Sequence, residues 1–389
     1  MTAPLPRPTP TEFTPYRWAA PLAEVAARHG LAVAQILRFD GNVPPLPGVP
    51  QIPLSESFAR LNEYPEGSYR ELREAAAAYL RSGAGQGSKA AAALAAGPGL
   101  AAIDPDWITI GAGADDLIAT VARTYLCQGR RAAVVAPTYP VYRIASLVEG
   151  AEVVEIAGLD AASASGAAVV WLCNPDNPSG SKVTPAEVAA CARALPQALL
   201  VVDEAYVEYG GDSVAPIVAD LPNVVVLRTL SKAFGLAGLR VGYAVAQPEV
   251  AAALTARRAP APVTIPSARI AAAALREPRT DVAETVAERD RIREALVAAG
   301  RSVPVSYANF VFVESGDAAA EADALEAQGL IVRRFPHGFR ITPRLPGDND
   351  VLLAALGAAP ADAAARAAAE ARRSATVVRT TTETALRIS

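Results

Sequence analysis

Between residues 107 and 246 the sequence repeats one pattern: a short apolar run, a turn, then a new segment. Runs at 107–110, 132–136, 151–156, 168–173, 198–202, 223–227 and 240–246 read as strands, and 185–194 reads as a helix among them. Short, uniformly apolar runs suit strands covered on both faces, and their alternation with helical segments predicts an α/β fold with a mainly parallel sheet. Such sheets form their sites outside the carboxyl ends of the strands. Gly113, Tyr139, Asn177, Asp203 and Lys232 all fall at or just past strand ends.

Lys232 is one of three lysines, with Lys89 and Lys182; arginine carries the rest of the positive charge. An arginine stays protonated, whereas a lysine amine becomes nucleophilic once desolvation or nearby cations lower its pKa. The stretch from Arg228 to Arg240 (RTLSKAFGLAGLR) surrounds Lys232 with small and apolar residues and places cations at both ends. Gly111–Asp116 (GAGADD) opens a helix, and a glycine-rich turn at a helix N-terminus points N–H groups at an anion. Ala136–Pro140 (APTYP) sets an aromatic ring past a strand end, and Asn177–Gly180 (NPSG) closes an apolar run with a polar turn. Leu199–Tyr206 (LLVVDEAY) is an apolar strand that ends in the carboxylate of Asp203. Taken singly, each of these is most often a surface lysine, a cap, a packed aromatic or an ordinary turn. Their ordered co-occurrence over residues 61–243 carries the information.

Ser231-Lys232 with an arginine eight positions on resembles the cofactor-lysine motif of the fold-type-I, pyridoxal-phosphate-dependent aminotransferases of class I/II. The order Gly113, Tyr139, Asn177, Asp203, Tyr206, Lys232, Arg240 is that in which this family presents its roles. The resemblance implies a large, mainly parallel α/β/α sandwich domain with a smaller α+β domain. It also implies pyridoxal 5'-phosphate as cofactor, held covalently by Lys232. Ser231 and Arg240 would bind its phosphate, with Gly113, Ala114 and Asp115 at the helix start. Tyr139 would stack on its ring, and Asn177 and Tyr206 would meet its phenolic oxygen. Asp203 would keep the pyridine nitrogen protonated so that the ring acts as an electron sink. Tyr64, in Leu61–Leu72 (LNEYPEGSYREL), would reach the phosphate bound by a partner subunit, which implies a homodimer.

The last third reads as the smaller domain, with helices near 248–258, 281–299 and 318–328, a strand at 308–313 and a helix from Asn349. Within Gly329–Thr342, F-R-I-T resembles the family's L-R-[IV]-[TS] motif, which implies that Arg340 grips a substrate carboxylate. I-V-R resembles the segment whose arginine meets the phosphate of histidinol phosphate. That gives Arg333, with Arg334 as the alternative because strand alternation turns only one of them inward. Tyr16 (in PYRW) and Asn42 (in the segment Leu37–Pro45) complete the expected substrate contacts.

The expected domains are 1–50 (arm and part of the small domain), 51–250 (large cofactor-binding domain), 251–358 (small domain) and 359–389 (linker and tail). Residues 1–15 read as a disordered arm, 82–100 as a flexible connector and 358–373 as an alanine-rich helix or linker. The tail 374–389 resembles the opening strand of imidazoleglycerol-phosphate dehydratase, which implies a remnant of a fused second enzyme. A composition 51% hydrophobic and 20% charged is globular, and a net charge of −4 supplies no electrostatic reason to expect nucleic acid. Cys127, Cys173 and Cys191 lack metal or disulfide spacing and read as reduced thiols, and His29 and His337 add no metal cluster. The expectation is a cytoplasmic protein without metal, secretory signal or membrane span. The implied activity is amino transfer between small amines and 2-oxo acids, most like histidinol-phosphate:2-oxoglutarate aminotransferase. Aromatic or other amino-acid aminotransferase, phospho-amino-acid decarboxylase and a pyridoxal-phosphate-binding regulatory module are the alternatives.

Overall fold

The structure, a computed structural model, describes residues 13–16, 19–45, 58, 60–83, 98–278, 282–358, 377–380 and 385–388. Its chain divides into two compact units: Met1–Arg17 with Leu46–Ala283 and Ser306–Ala308, and Trp18–Pro45 with Glu284–Val305 and Asn309–Ser389. Most of the expected arm, most of the 82–100 connector and nearly all of 358–373 lie outside the described residues.

The first unit is built on a seven-stranded sheet. Its strands are β1 (Ile108–Gly111), β2 (Arg131–Val135), β3 (Glu152–Ile156), β4 (Val169–Cys173), β5 (Leu199–Asp203), β6 (Val224–Thr229) and β7 (Gly242–Val245). In space the order is β1-β7-β6-β5-β4-β2-β3. Six strands run one way, and β7 runs against them, antiparallel to both β1 and β6. Each strand lies within two residues of its sequence expectation. The reason is burial: β4, β5, β6 and β7 are buried at every position, so no polar alternation blurs their ends. The edge strand β3 is partly exposed.

Local signals place the helices. Thr184 accepts from Glu187 N–H while Glu187 reaches back to Thr184 N–H, so a capping box with Pro185 starts the helix Pro185–Ala194. Arg70–Arg81 buries Leu72, Ala75, Ala76, Tyr79 and Leu80, a stripe at helical spacing. It packs along Ile265–Arg276, a helix capped by Thr264 that was absent from the sequence expectation. That packing moves the boundary between the units: the smaller domain was expected to begin at 251, but residues to Ala283 belong to the first unit.

The second unit has a three-stranded antiparallel sheet in the order β9-β10-β8, from β8 (Val311–Glu314), β9 (Arg333–Phe335) and β10 (Gly338–Ile341). Leu37–Arg38 pairs in parallel with Leu330–Ile331. The core gathers Phe39, Ile292, Leu296, Val311, Phe339 and Leu352 from strands and helices. The helix expected from Asn349 starts earlier, at Pro346, whose missing N–H suits a first turn. In the tail, Val377–Thr380 and Ala385–Ile388 pair as an antiparallel hairpin.

Trp171, at the centre of β4, is fully buried, stacks on Tyr142 at 5.5 Å between ring centroids, and donates to Ser146 Oγ at 3.1 Å. Truncation to alanine removes that contact area and leaves a cavity the surrounding strands cannot close. Trp171→Ala is expected to lower unfolding free energy by ~3–5 kcal/mol in urea denaturation.

Candidate active site

The chemistry gathers where the parallel strands end. Asp203 is the last residue of β5 and is 3% exposed. Its Oδ2 accepts the Tyr142 hydroxyl at 2.7 Å and its Oδ1 accepts Ala205 N–H at 3.1 Å. Burial pushes the carboxyl up to about 6, against the opposing pull of those two donors and the Lys232 charge. Tyr142 was missed by sequence reasoning. Burial, with Asp203 alongside, holds its hydroxyl pKa well above the ordinary value, so it acts as a donor. Its only signal in the sequence is a helical step of three from Tyr139, too common to single out.

Lys232 lies in the loop Leu230–Val241 that joins the antiparallel neighbours β6 and β7. Leu230 N–H donates to Val241 O (3.1 Å) and Leu236 N–H to Leu230 O (3.0 Å), closing the loop at its neck. Gly235 takes φ +63°, which lets the chain turn back after Lys232. The Lys232 amine lies 5.6 Å from the centroid of the Tyr206 ring. The two flanking cations each lie beside carboxylates. Arg228 lies 2.7 Å from Glu204 and 3.1 Å from Glu208, and Arg240 lies 3.2 Å from Asp115.

Beside this loop, the helix Ala114–Tyr125 begins at the turn Gly111–Gly113. Gly113 takes φ +86°, and a Cβ there would sit 2.9 Å from Arg240 Nη2. A Cβ on Gly242 would lie 2.8 Å from Arg228 O and 2.9 Å from Gly113 C. Both glycines therefore allow β7 and the helix start to approach as closely as they do. Asp115 Oδ1 accepts from the Tyr139 hydroxyl (3.0 Å) and its Oδ2 accepts from Arg240 (3.2 Å). Ser231 is buried, donates its N–H to Thr229 Oγ1 at 3.2 Å, and accepts the Thr229 hydroxyl at 2.9 Å.

Asn177 is buried in a turn that Asp176 organises. The Asp176 carboxylate accepts the Thr138 hydroxyl at 2.7 Å and the Ser179 hydroxyl at 2.7 Å. Burial pushes its pKa up. Tyr139 meets Tyr16 edge-on at 6.2 Å and Tyr142 edge-on at 5.8 Å. Tyr206 is buried, whereas Tyr64 stands 93% exposed.

In the second unit, Arg340 is buried with its guanidinium 5.1 Å from the Phe310 ring and 5.8 Å from the Phe335 ring, and it donates to Asp40 O at 3.1 Å. Arg333 is its cross-strand partner. Arg334 is exposed and pairs with Asp323 at 3.0 Å. Asn42, expected to touch substrate, is buried; its Oδ1 accepts the Thr342 hydroxyl at 2.8 Å.

Residues 30–356 match the family model of the class I and II aminotransferases. The chain belongs to that family. It is 34% identical over 373 residues to a histidinol-phosphate aminotransferase of Symbiobacterium thermophilum, covering 89% of this chain and 96% of that protein. It is 32% identical over 350 residues to an aromatic amino acid aminotransferase of Rhodococcus erythropolis, covering 85% and 92%. The crystal structure of histidinol-phosphate aminotransferase from Sinorhizobium meliloti in complex with pyridoxal-5'-phosphate superposes with a TM-score of 0.73 at 28% identity, covering 89% of this chain and 96% of that one.

Pyridoxal phosphate, the cofactor of this aminotransferase family, fits the donor set of the first unit. A buried carboxylate suits a pyridinium N–H, and a lysine amine suits an aldehyde. Ser231, Arg240 and a helix N-terminus suit a phosphate.

The raised carboxyl of Asp203 makes the cofactor-free protein pH-sensitive. Because the folded pKa of about 6 exceeds the ordinary aspartate value of about 4, the native state binds the extra proton. Stability is then greatest below the unfolded pKa and falls as pH rises from about 4 to about 6. Asp203→Asn should flatten this slope and leave the cofactor-free variant more stable at pH 7 by ~2–3 kcal/mol in urea denaturation. An unchanged slope assigns the titration elsewhere.

Proposed function

We propose that this aminotransferase exchanges an amino group between histidinol phosphate and 2-oxoglutarate, in histidine biosynthesis, as a cytoplasmic homodimer. Supporting this, relatives named for that substrate align along nearly their whole length. The observation that carries the reading is the pairing of Arg333 with Arg340 across β9 and β10. Directly paired residues of a ladder share one face, whereas Arg334 turns to the other and is held by Asp323. A phosphate or carboxylate meeting these guanidinium groups makes short, charge-assisted bonds. Arg333 is thus the phosphate contact and Arg340 the clamp for the carboxylate of glutamate or, in the other half-reaction, a second phosphate contact. Tyr16 and Asn42 are assigned to the same substrates.

When bound, pyridoxal phosphate supplies an electron sink for the bond-making at the carbon bearing the amine. Lys232 would hold it through its amine, and Nζ would serve as the general base that takes the proton from the substrate carbon bearing the amine. Asp203 keeps a proton on the pyridine nitrogen, with Tyr142 and Ala205 N–H fixing the carboxylate. Asn177 and Tyr206 orient the ring through its phenolic oxygen, and Tyr139 covers it. The turn Gly113-Ala114-Asp115 with Ser231 and Arg240 anchors the phosphate. The exposed Tyr64 reaches the phosphate bound by a second copy of the chain.

We read the first unit as the cofactor-binding domain and the second as the small domain. The hairpin of the tail fits the opening of a fused dehydratase-like segment. Transfer from aromatic amino acids is the second reading, favoured by the match to the Rhodococcus enzyme.

Lys232→Ala should abolish the visible absorbance of covalently held cofactor while circular dichroism shows the fold retained; an unchanged spectrum removes Lys232 from its role. Arg333→Ala should raise KM for histidinol phosphate at least about tenfold, or ~1.4 kcal/mol, with little change for glutamate. Arg340→Ala should weaken glutamate strongly. Equal losses for both substrates in Arg333→Ala make Arg333 structural. Turnover of phenylalanine or tyrosine but not of histidinol phosphate by the unmodified protein selects the aromatic reading.

A further inference from the structure

Behind the lysine loop lies a group of charges the chemistry does not use. Arg228 is 1% exposed, with Nε 2.7 Å from Glu204 Oε2 and Nη1 3.1 Å from Glu208 Oε1. Its Nη2 donates to Ser213 Oγ at 2.9 Å. Glu204 is completely buried and also accepts the Ser213 hydroxyl at 3.0 Å and Val214 N–H at 2.6 Å. As a source of stability such a cluster is a poor choice. Desolvating the ions offsets much of their attraction, and neutral side chains of similar volume commonly serve as well or better.

What distinguishes the cluster is where its members sit in the chain. Glu204 follows Asp203, Glu208 lies two residues after Tyr206, and Arg228 lies four residues before Lys232. Asp203 pairs with Leu227 across β5 and β6, so the next residues along, Glu204 and Arg228, are neighbours on the face opposite Asp203. Glu208 comes from the turn Val207–Tyr209 that immediately follows Tyr206. The third side is closed by Tyr79, whose charge-free ring meets Phe234 of the lysine loop edge-on at 5.5 Å. One buried body therefore adjoins the segments that carry Asp203, Tyr206 and Lys232.

We propose that Arg228, Glu204 and Glu208 form a positioning cluster, which holds the Asp203–Tyr206 segment and the Lys232 loop in fixed relation. The guanidinium is the feature that matters: it lies beside Glu204 and donates to Glu208 and to the Ser213 hydroxyl from separate nitrogens, a spread of partners that a point-like ammonium does not match. The cluster acts through its neighbours and not by contact with substrate. The inference rests on Lys232 and Asp203 being the cofactor residues.

The test compares the unmodified, pyridoxal-phosphate-loaded protein with the neutral variant Arg228→Met/Glu204→Gln/Glu208→Gln. Unfolding temperature, cofactor content, kcat, KM for the amino donor and the visible circular dichroism of the bound cofactor are read for both. The expected result is full loading and an unfolding temperature close to that of the unmodified protein. Against that background kcat falls at least about tenfold, KM shifts less than about threefold, and the visible dichroism weakens. Unchanged kcat and dichroism in a stable neutral variant overturn the proposal, because the cluster is then only structural. If the neutral variant does not fold, Arg228→Lys keeps the charge without the fork. A fall in kcat and dichroism at unchanged loading supports positioning, and full activity with an unchanged signal overturns it. A failure of the transferase reading looks different: the unmodified protein then turns over no amine at all, and the dichroism alone decides the cluster's role.

Discussion

A carboxylate buried at the end of a strand is the demand around which the first unit is arranged. Removing Asp203 from water costs enough to push its carboxyl up to about 6, even with a tyrosine hydroxyl and a backbone N–H directed at it. The protein offsets that cost with a rigid stack. Tyr142 donates to Asp203, lies on Trp171, and is joined to it through Ser146, which accepts from the indole and donates to Tyr142 O at 2.8 Å. Lys232 adds a positive charge to the same environment, yet burial still outweighs the three favourable influences on the carboxylate.

A second constraint is the reversal of β7. Were it parallel, a long crossover would separate Lys232 from Arg240. Because β7 runs back beside β6, a short loop closed by Leu230 and Val241 carries Ser231, Lys232 and Arg240 together at one end of the sheet. The same reversal brings Gly242 against the Gly113–Ala114 turn, where no side chain fits. The lysine loop and the Gly113–Ala114 turn, far apart in the chain, thus converge through one topological choice.

The positions of the strands and most helices were legible because they rest on local signals: apolar runs, caps, and turns at strand ends. Features set by tertiary neighbours were not. Arg228 read as a bare cation beside Lys232, but its charge is answered by Glu204 and Glu208, which come from a different strand end. Tyr142 is an ordinary helical aromatic until the fold aims its hydroxyl at Asp203. The helix Ile265–Arg276 had a good cap in Thr264, yet its alanine-rich body has little periodic contrast, and only its packing on Arg70–Arg81 assigns it to the first unit. In each case the deciding partner lies far away in sequence.

The two arginines of β9 show the same limit from the other side. Alternation in the sequence established that Arg333 and Arg334 face opposite ways, but not which way is which. The ladder decides it, because β10 sets Arg340 directly across from Arg333 and leaves Arg334 to Asp323. The register of the ladder, which alternation alone does not supply, is what separates the two arginines: Arg333 shares a face with the buried Arg340, and Arg334 meets Asp323 at the surface.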